Sequence, residues 1–246
     1  PSRGPVSGGT TLSIYGVNLD GAGDVGYRCR LRCSPRSAGC LAVTGGVDLA
    51  MSASLTNASN HGVEMQCSVD AAVLQSAGVG ASGGSGFYVL DIAGPGKNRD
   101  GWTASNITIE LYEDPVVDHV KPAIARNDGP TTVAIFGEKF VPGMLCRFVL
   151  TAELAPSFAS DAEAASAISL LQQGFDASFA NSSFVTCPLP PVPASALGVY
   201  RLQLSGNNQQ WTDGGSSEHH VRIYGVPVVA RIFPSSGPAS GVLPIS

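Results

Sequence analysis

The sequence predicts an all-β fold built as two repeated units, and three observations carry that expectation. The first is internal repetition: Gly4-Pro5-Val6-Ser7-Gly8-Gly9-Thr10-Thr11-Leu12-Ser13-Ile14-Tyr15-Gly16 finds its Thr-Thr, Ile and Gly again 121 places on, in Thr131-Thr132, Ile135 and Gly137. A third start follows, because 234–241 repeats 1–8 at an offset of 233 with six of eight positions identical. The second is alternation: after the Gly and Pro of the turn, Thr-Leu-Ser-Ile-Tyr alternates small polar with large apolar side chains, as a half-buried strand does. The third is composition. Charged residues are 13% and aromatics 7%, while 30 Gly and 17 Pro suit short strands joined by many turns.

Taken in order, the opening strand runs into a turn at Asp20-Gly21-Ala22-Gly23-Asp24, and Tyr27-Arg28-Cys29-Arg30-Leu31 is the next strand. Cys33 and Cys40 bracket a short polar loop. Val63-Glu64-Met65-Gln66-Cys67 alternates again, and after a Gly/Ser/Ala-rich loop Phe87-Tyr88-Val89-Leu90-Asp91-Ile92 and Asn106-Ile107-Thr108-Ile109-Glu110-Leu111-Tyr112 finish the first unit. The second unit repeats the order through Leu145-Cys146-Arg147-Phe148, Phe184-Val185-Thr186-Cys187-Pro188 and Val199-Tyr200-Arg201-Leu202-Gln203-Leu204. Towards the end the register is strict: Tyr88 to Tyr200, Tyr112 to Tyr224, Pro115 to Pro227, Val116-Val117 to Val228-Val229 and Pro122 to Pro234 are all 112 apart. The units therefore span 1–115 and 116–227, with the start of a third at 228–246, and their joints are short and carry no Gly/Ser tract. One stretch breaks the pattern: 160–174 has a Ser160-x-x-Glu163 capping box, good helix formers and a terminal Gly174, which predicts a short helix inserted in the second unit. Gly16 and Gly137 each follow an aromatic, a position that suits a bulge or a close backbone approach.

These residues resemble a known family. Pro-x-x-Gly-Pro-x-x-Gly-Gly-Thr-x-Leu-x-Ile-x-Gly, a Cys-bearing strand, Val-Thr-Cys-Pro-Leu-Pro, and Gly-Val-Tyr-Arg-Leu-Gln-Leu-Ser-Gly-Asn-Asn-Gln-Gln-Trp-Thr are similar to the IPT/TIG repeat of plexins, related receptors and some transcription factors. The resemblance implies tandem immunoglobulin-like sandwiches of the E-set kind and no chemistry of their own. The first unit departs from the pattern in its two extra cysteines, in Ser68-Val69 where the family prefers Thr-Pro, and in the loop after Cys67.

Six cysteines allow 15 pairings. The resemblance pairs Cys29 with Cys67 and Cys146 with Cys187, leaving Cys33 to Cys40; a four-thiolate metal site at Cys29, Cys33, Cys40 and Cys67, or unpaired buried thiols, are the rival readings. Asn57, Asn106 and Asn181 head N-glycosylation sequons. The oxidised reading and the sequons place the chain outside the cell or at its surface.

Matches to catalytic motifs are discounted on context. Gly21-x-Gly23-x-x-Gly26 and Gly78-x-Gly80-x-x-Gly83 run into strands instead of opening helices, and Gly80-Ala81-Ser82-Gly83-Gly84 lacks a strand-turn-helix setting. No catalytic residue, cofactor or metal site is expected. His61, His119, His219 and His220 are read as surface residues, with His219 and His220 on opposite sides of a strand. Glu113, Asp114 and Asp118 at the first joint raise calcium as an alternative, and Trp102 and Trp211 raise a carbohydrate platform, with packing favoured for both tryptophans. A net charge of -5 gives no drive towards nucleic acid, and no apolar run reaches membrane-helix length.

The expected role is a non-enzymatic structural or adhesive segment of a longer extracellular or cell-surface protein. Its partners would be neighbouring repeats, other protein subunits and glycans, with no nucleic acid or membrane contact within this segment. The alternative is a receptor ectodomain binding a protein or glycan ligand through its loops. Eleven Arg against three Lys, with much Ala and Gly, suggest a GC-rich genome and point to a green-algal surface or ciliary fibre.

Overall fold

The computed structural model describes residues 2–16, 27–34, 37, 49–56, 63–79, 84–94, 101–103, 106–151, 162–213, 217–233 and 235–236. The described chain is strands in sheets with two short helices, an all-β fold of immunoglobulin-like sandwiches.

The first seven strands are β1 (Arg3–Pro5), β2 (Thr10–Gly16), β3 (Arg28–Cys33), β4 (Leu49–Thr56), β5 (Val63–Val69), β6 (Gly86–Ala93) and β7 (Ile107–Tyr112), hydrogen-bonded in the order β1-β7-β6-β3-β4-β5-β2. The strand β1 runs parallel to β7 and every other pair is antiparallel. β4 passes from one layer to the other: its first half, to Ser52, pairs with β3, and its second half, from Ala53, pairs with β5. Alternation decides what each strand buries. In β2, Thr10, Leu12 and Ile14 face the core while Ser13 and Tyr15 face out. Leu12, Ile14, Cys29, Leu31, Met65, Cys67, Tyr88, Leu90, Ile109 and Leu111 make one apolar cluster.

The stretch after Cys67, expected as loop, contains a helix, α1 (Ala71–Ser76). Asp70 is its N-cap, with Oδ1 accepting from the Ala72 N–H at 2.8 Å, and Leu74 is its fully buried anchor. A single turn of this kind has too few residues to show a 3.6-residue period, so it escaped the pattern.

The later strands form two sheets. β8 (Val116–Lys121), β10 (Thr131–Glu138), β13 (Ser178–Asn181) and β14 (Phe184–Leu189) make one, in the order β13-β14-β10-β8. β9 (Ile124–Arg126), β11 (Leu145–Leu150), β12 (Phe175–Asp176), β15 (Gly198–Ser205) and β16 (His220–Tyr224) make the other, in the order β12-β11-β15-β16-β9. A cis Lys121–Pro122 peptide lies between β8, in the first sheet, and β9, in the second. Gly137 sits where the β10–β8 register shifts, and a Cβ there would lie 2.0 Å from the Val116 carbonyl oxygen. Helix α2 (Ala162–Gln173) packs on β11; Ala164 and Leu171 are buried and Ala167 and Ile168 half-buried, an i, i+3, i+4, i+7 stripe. Gly174, at φ +95°, follows it; Ser160 of the expected cap lies outside the described residues.

Two features recur in both halves. Cys29 on β3 is bonded to Cys67 on β5, and Cys146 on β11 to Cys187 on β14, each bond crossing from one layer to the other. Tyr88 donates to the Gly84 carbonyl at 2.7 Å and Tyr200 to the Ala196 carbonyl at 2.6 Å, four residues upstream in each case. Such a buried hydroxyl tied back to the chain at a strand entry is the tyrosine corner of immunoglobulin-like sandwiches.

Candidate functional site

The densest polar construction in the described chain lies where the opening turn of the first half meets the loop between β15 and β16. Three residues, 113–115, separate β7 from β8, so the two ends are held close by covalent geometry alone. The loop at 205–212 is pre-shaped by its own side chains. Ser205 Oγ accepts from the Asn207 and Asn208 N–H groups, Asn207 Oδ1 accepts from those of Gln209 and Gln210, and Asn208 adopts φ +61°, a conformation asparagine tolerates.

That loop reads the backbone of β2. Gln209 accepts from the Thr11 N–H at 2.9 Å and donates to the Thr11 carbonyl at 3.0 Å, so one side-chain amide takes both main-chain groups of an edge residue, as a neighbouring strand would. Gln210 donates to the Gly9 carbonyl at 2.7 Å and accepts from the Thr10 hydroxyl at 3.0 Å, while Asn207 donates to Thr10 Oγ1 and to Gln210 Oε1. Gly206 donates to the Tyr112 hydroxyl at 3.2 Å, and a Cβ at Gly206 would lie 2.5 Å from the Tyr112 ring. Only glycine fits there. Ser7 donates from both its N–H and its hydroxyl to Asp114, Arg3 reaches the Pro142 carbonyl and pairs with Glu110, and Glu113 pairs with Lys139.

Burial shapes the electrostatics of this joint. Tyr112 is 3% exposed, and burial pushes its hydroxyl up to about 12 against the opposing pull of the Gly206 N–H. A cavity of about 400 Å³ opens beside it, lined among others by Asp114, Gln210, Trp211, Asp213 and His219. His219 corrects the surface reading: it ends a 3-10 turn, Ser217–His219, is 8% exposed and leaves Nδ1 without a hydrogen-bond partner among the described residues.

The tryptophans are stacked by arginines in both halves. The Arg147 guanidinium lies 4.1 Å from the Trp211 ring centroid and that of Arg30 lies 4.2 Å from Trp102, so one face of each ring is occupied by a cation. Beneath Arg30 and Arg32, Asp91 is fully buried; desolvation would raise its carboxyl, yet the two guanidinium hydrogen bonds outweigh it and hold the pKa below the usual value.

The remaining sequence expectations fall as follows. Cys33 ends β3 in a disulfide, and its expected partner Cys40 lies outside the described residues. Asn57 and His61 also lie outside them. Asn106 and Asn181 are exposed, the latter with Oδ1 accepting from the Ser183 N–H. Glu113, Asp114 and Asp118 do not converge: the first two are engaged with Lys139 and Ser7, Asp118 faces solvent on β8, and no group of three metal-binding side chains gathers among the described residues. His119 stacks on Phe136 with ring centroids 4.7 Å apart. No described helix is long and apolar enough to cross a membrane. The amide loop itself was not singled out as a site from the sequence. Its signal was Asn207-Asn208-Gln209-Gln210, four amides in a row beside the short joint.

Compared with known proteins, the chain matches no family model and no curated protein. Among solved structures it is similar to the full extracellular region of plexin A4, at 14% identity and a TM-score of 0.43 over 98% of this chain; it spans 18% of that chain. It is also similar to a marsupial T cell receptor, at 12% identity and a TM-score of 0.32, over 94% of this chain and 72% of that one. Both likenesses are too distant to add to the fold, which rests on the strand order, the layer-crossing cystines and the paired tyrosine corners.

Proposed function

We propose that this chain is a non-enzymatic structural or adhesive segment of an extracellular or cell-surface protein. Its units at 1–115 and 116–227, with a third beginning at 228, are stacked end to end to give length and stiffness. The observation that carries this reading is the joint. A linker of three residues, braced by Gln209 on the Thr11 backbone of β2, by Gln210 on the Gly9 carbonyl before it and by Tyr112 on Gly206, restrains two sandwiches more than a flexible tether would. Restraint between units is what a rod under load needs. The layer-crossing cystines support an oxidising compartment, and the exposed sequons at Asn106 and Asn181 suit a glycosylated surface.

The test labels the native protein on intact, unpermeabilised cells with an antibody to the chain, and maps its peptides without reduction. Surface labelling with Cys146 joined to Cys187 is the expected outcome. Labelling that requires permeabilised cells, together with free thiols at Cys146 and Cys187, would overturn the reading.

A further inference from the structure

The two halves carry the same pair of arginines on an outer sheet face and neutralise it differently. In the first half Arg30 of β3 lies opposite Asp91 of β6, and Arg32 lies opposite Val89. The fully buried Asp91 carboxylate accepts from Arg30 Nε at 3.1 Å, from Arg32 Nε and, at 3.3 Å, from Arg32 Nη2. One internal anion therefore holds both cations.

In the second half the offset of 112 takes Asp91 to Gln203 and Val89 to Arg201. Arg147 of β11 lies opposite Gln203 of β15, and Val149 lies opposite Arg201, so the position paired as Arg32 and Val89 again holds one arginine, now on the other strand. The anion between the two arginines has been replaced by an amide. Arg147 Nε donates to Gln203 Oε1 at 2.9 Å, and the Gln203 Nε2 group is committed to the Thr212 carbonyl. Arg201 Nε is buried with no hydrogen-bond partner among the described residues, and Nη1 reaches only the Asp213 carboxylate, at 3.8 Å, on a side chain 95% exposed. So long and exposed a pair neutralises little. Burial first, and the charge of Arg201 second, hold the Arg147 pKa below the usual arginine value.

The positive surface continues on the next strand. In β16 Arg222 lies opposite Val199 and is exposed, while its neighbours Val221 and Ile223 face the core, as Tyr200 and Leu202 do beside Arg201. Among the described residues no carboxylate pairs with Arg147 or Arg222. Three arginines thus stand on three adjacent strands spaced about 4.8 Å apart, in a chain whose net charge is -5.

We propose that Arg147 and Arg201 bind an oxyanion, a sulfate or carboxylate group of an acidic polysaccharide, where the first half uses the carboxylate of Asp91. Planar guanidinium donors match the paired oxygens of either group, and an anion there relieves the repulsion between two partly desolvated cations. Arg222 meets the next charge along the polymer. The anion site follows from the comparison of the two halves and is independent of where the protein resides, whereas the polysaccharide as its carrier rests on the extracellular placement proposed above.

Calorimetric titration of the 246-residue chain with a heparin oligosaccharide, an oligogalacturonate, sodium sulfate and poly-L-glutamate tests it. The expected result is binding of at least one of the two oligosaccharides, weakened by added salt. Gln203→Asp, which gives the second half the internal anion of the first, should weaken that binding about tenfold or more and leave the thermal midpoint unchanged or raised. Arg201→Gln should weaken it as much, and Lys121→Gln, on the opposite sheet, should leave it unchanged. Failure of both oligosaccharides to bind, or binding that survives both Gln203→Asp and Arg201→Gln, overturns the proposal. Sulfate that binds alone, or poly-L-glutamate that binds more tightly than either oligosaccharide, overturns the polysaccharide as carrier. A chain displayed on cells with oxidised cystines that binds neither oligosaccharide would overturn this inference and leave the structural role standing.

Discussion

Replacing Gln210 by alanine isolates the contribution of the joint, because Gln210 belongs to neither apolar core. The substitution removes three hydrogen bonds: to the Gly9 carbonyl, from the Thr10 hydroxyl and from Asn207 Nδ2. Thr10 Oγ1 and Asn207 Nδ2 remain bonded to each other at 3.1 Å, so neither is stranded, and the exposed Gly9 carbonyl regains water. Only the bonds to Gly9 and Thr10 cross between the sandwiches, and at about 0.5 to 1.5 kcal/mol net per bond their loss is about 2 kcal/mol of coupling. That is about a 30-fold fall in the ratio of docked to undocked joints. Whichever sandwich unfolds first gives up this coupling, so the first urea midpoint should fall by about 1 M for a slope of about 2 kcal/mol per molar. The readout is tryptophan fluorescence, with Gln172→Ala on the exposed face of α2 as control. Spin labels at Thr108→Cys and Ser178→Cys, both exposed, should report a broader distance distribution when Asn207, Gln209 and Gln210 are all alanine. An unmoved midpoint and an unbroadened distribution would refute the claim that the amide loop holds the sandwiches together.

Two further outcomes follow from the cores. Replacing Cys146 and Cys187 together by serine opens a loop with a sequence separation of 41, which the chain-entropy relation values at about 4 kcal/mol; a loss below about 1 kcal/mol in chemical unfolding would contradict it. Tyr112 and Tyr200 both have hydroxyls raised to about 12 by burial, so the folded state favours their neutral form. Their contribution is complete below the ordinary tyrosine pKa near 10 and is lost as pH rises from there to about 12. Phenolate absorbance should therefore show a late-titrating group that coincides with unfolding, and a single early titration of all tyrosines would contradict the burial argument.

The all-β class was legible because its determinants are local. Two-residue alternation in Thr10-Leu12-Ile14 or Val133-Ile135 is dictated by the pleat, and each strand carries its own record of which side is wet. The helix, expected over 160–174 and found at 162–173, was legible from equally local signals, its good helix formers and the Gly174 that ends it. Short or mixed elements were not. α1 is a single capped turn, and β4 divides its pairing between two layers.

By itself the sequence determined which segments repeat, which faces of the strands are apolar and how short the joint is. Those properties reside in neighbouring residues and need no partner to be expressed. Only the tertiary structure decided that Gln209, 198 residues from Thr11, takes both of its backbone groups, that Gly206 admits the Tyr112 ring, and that His219 is buried. A side-chain amide carries no mark of the backbone it will meet, since its two hydrogen bonds are satisfied equally well by water until folding brings a strand edge within reach.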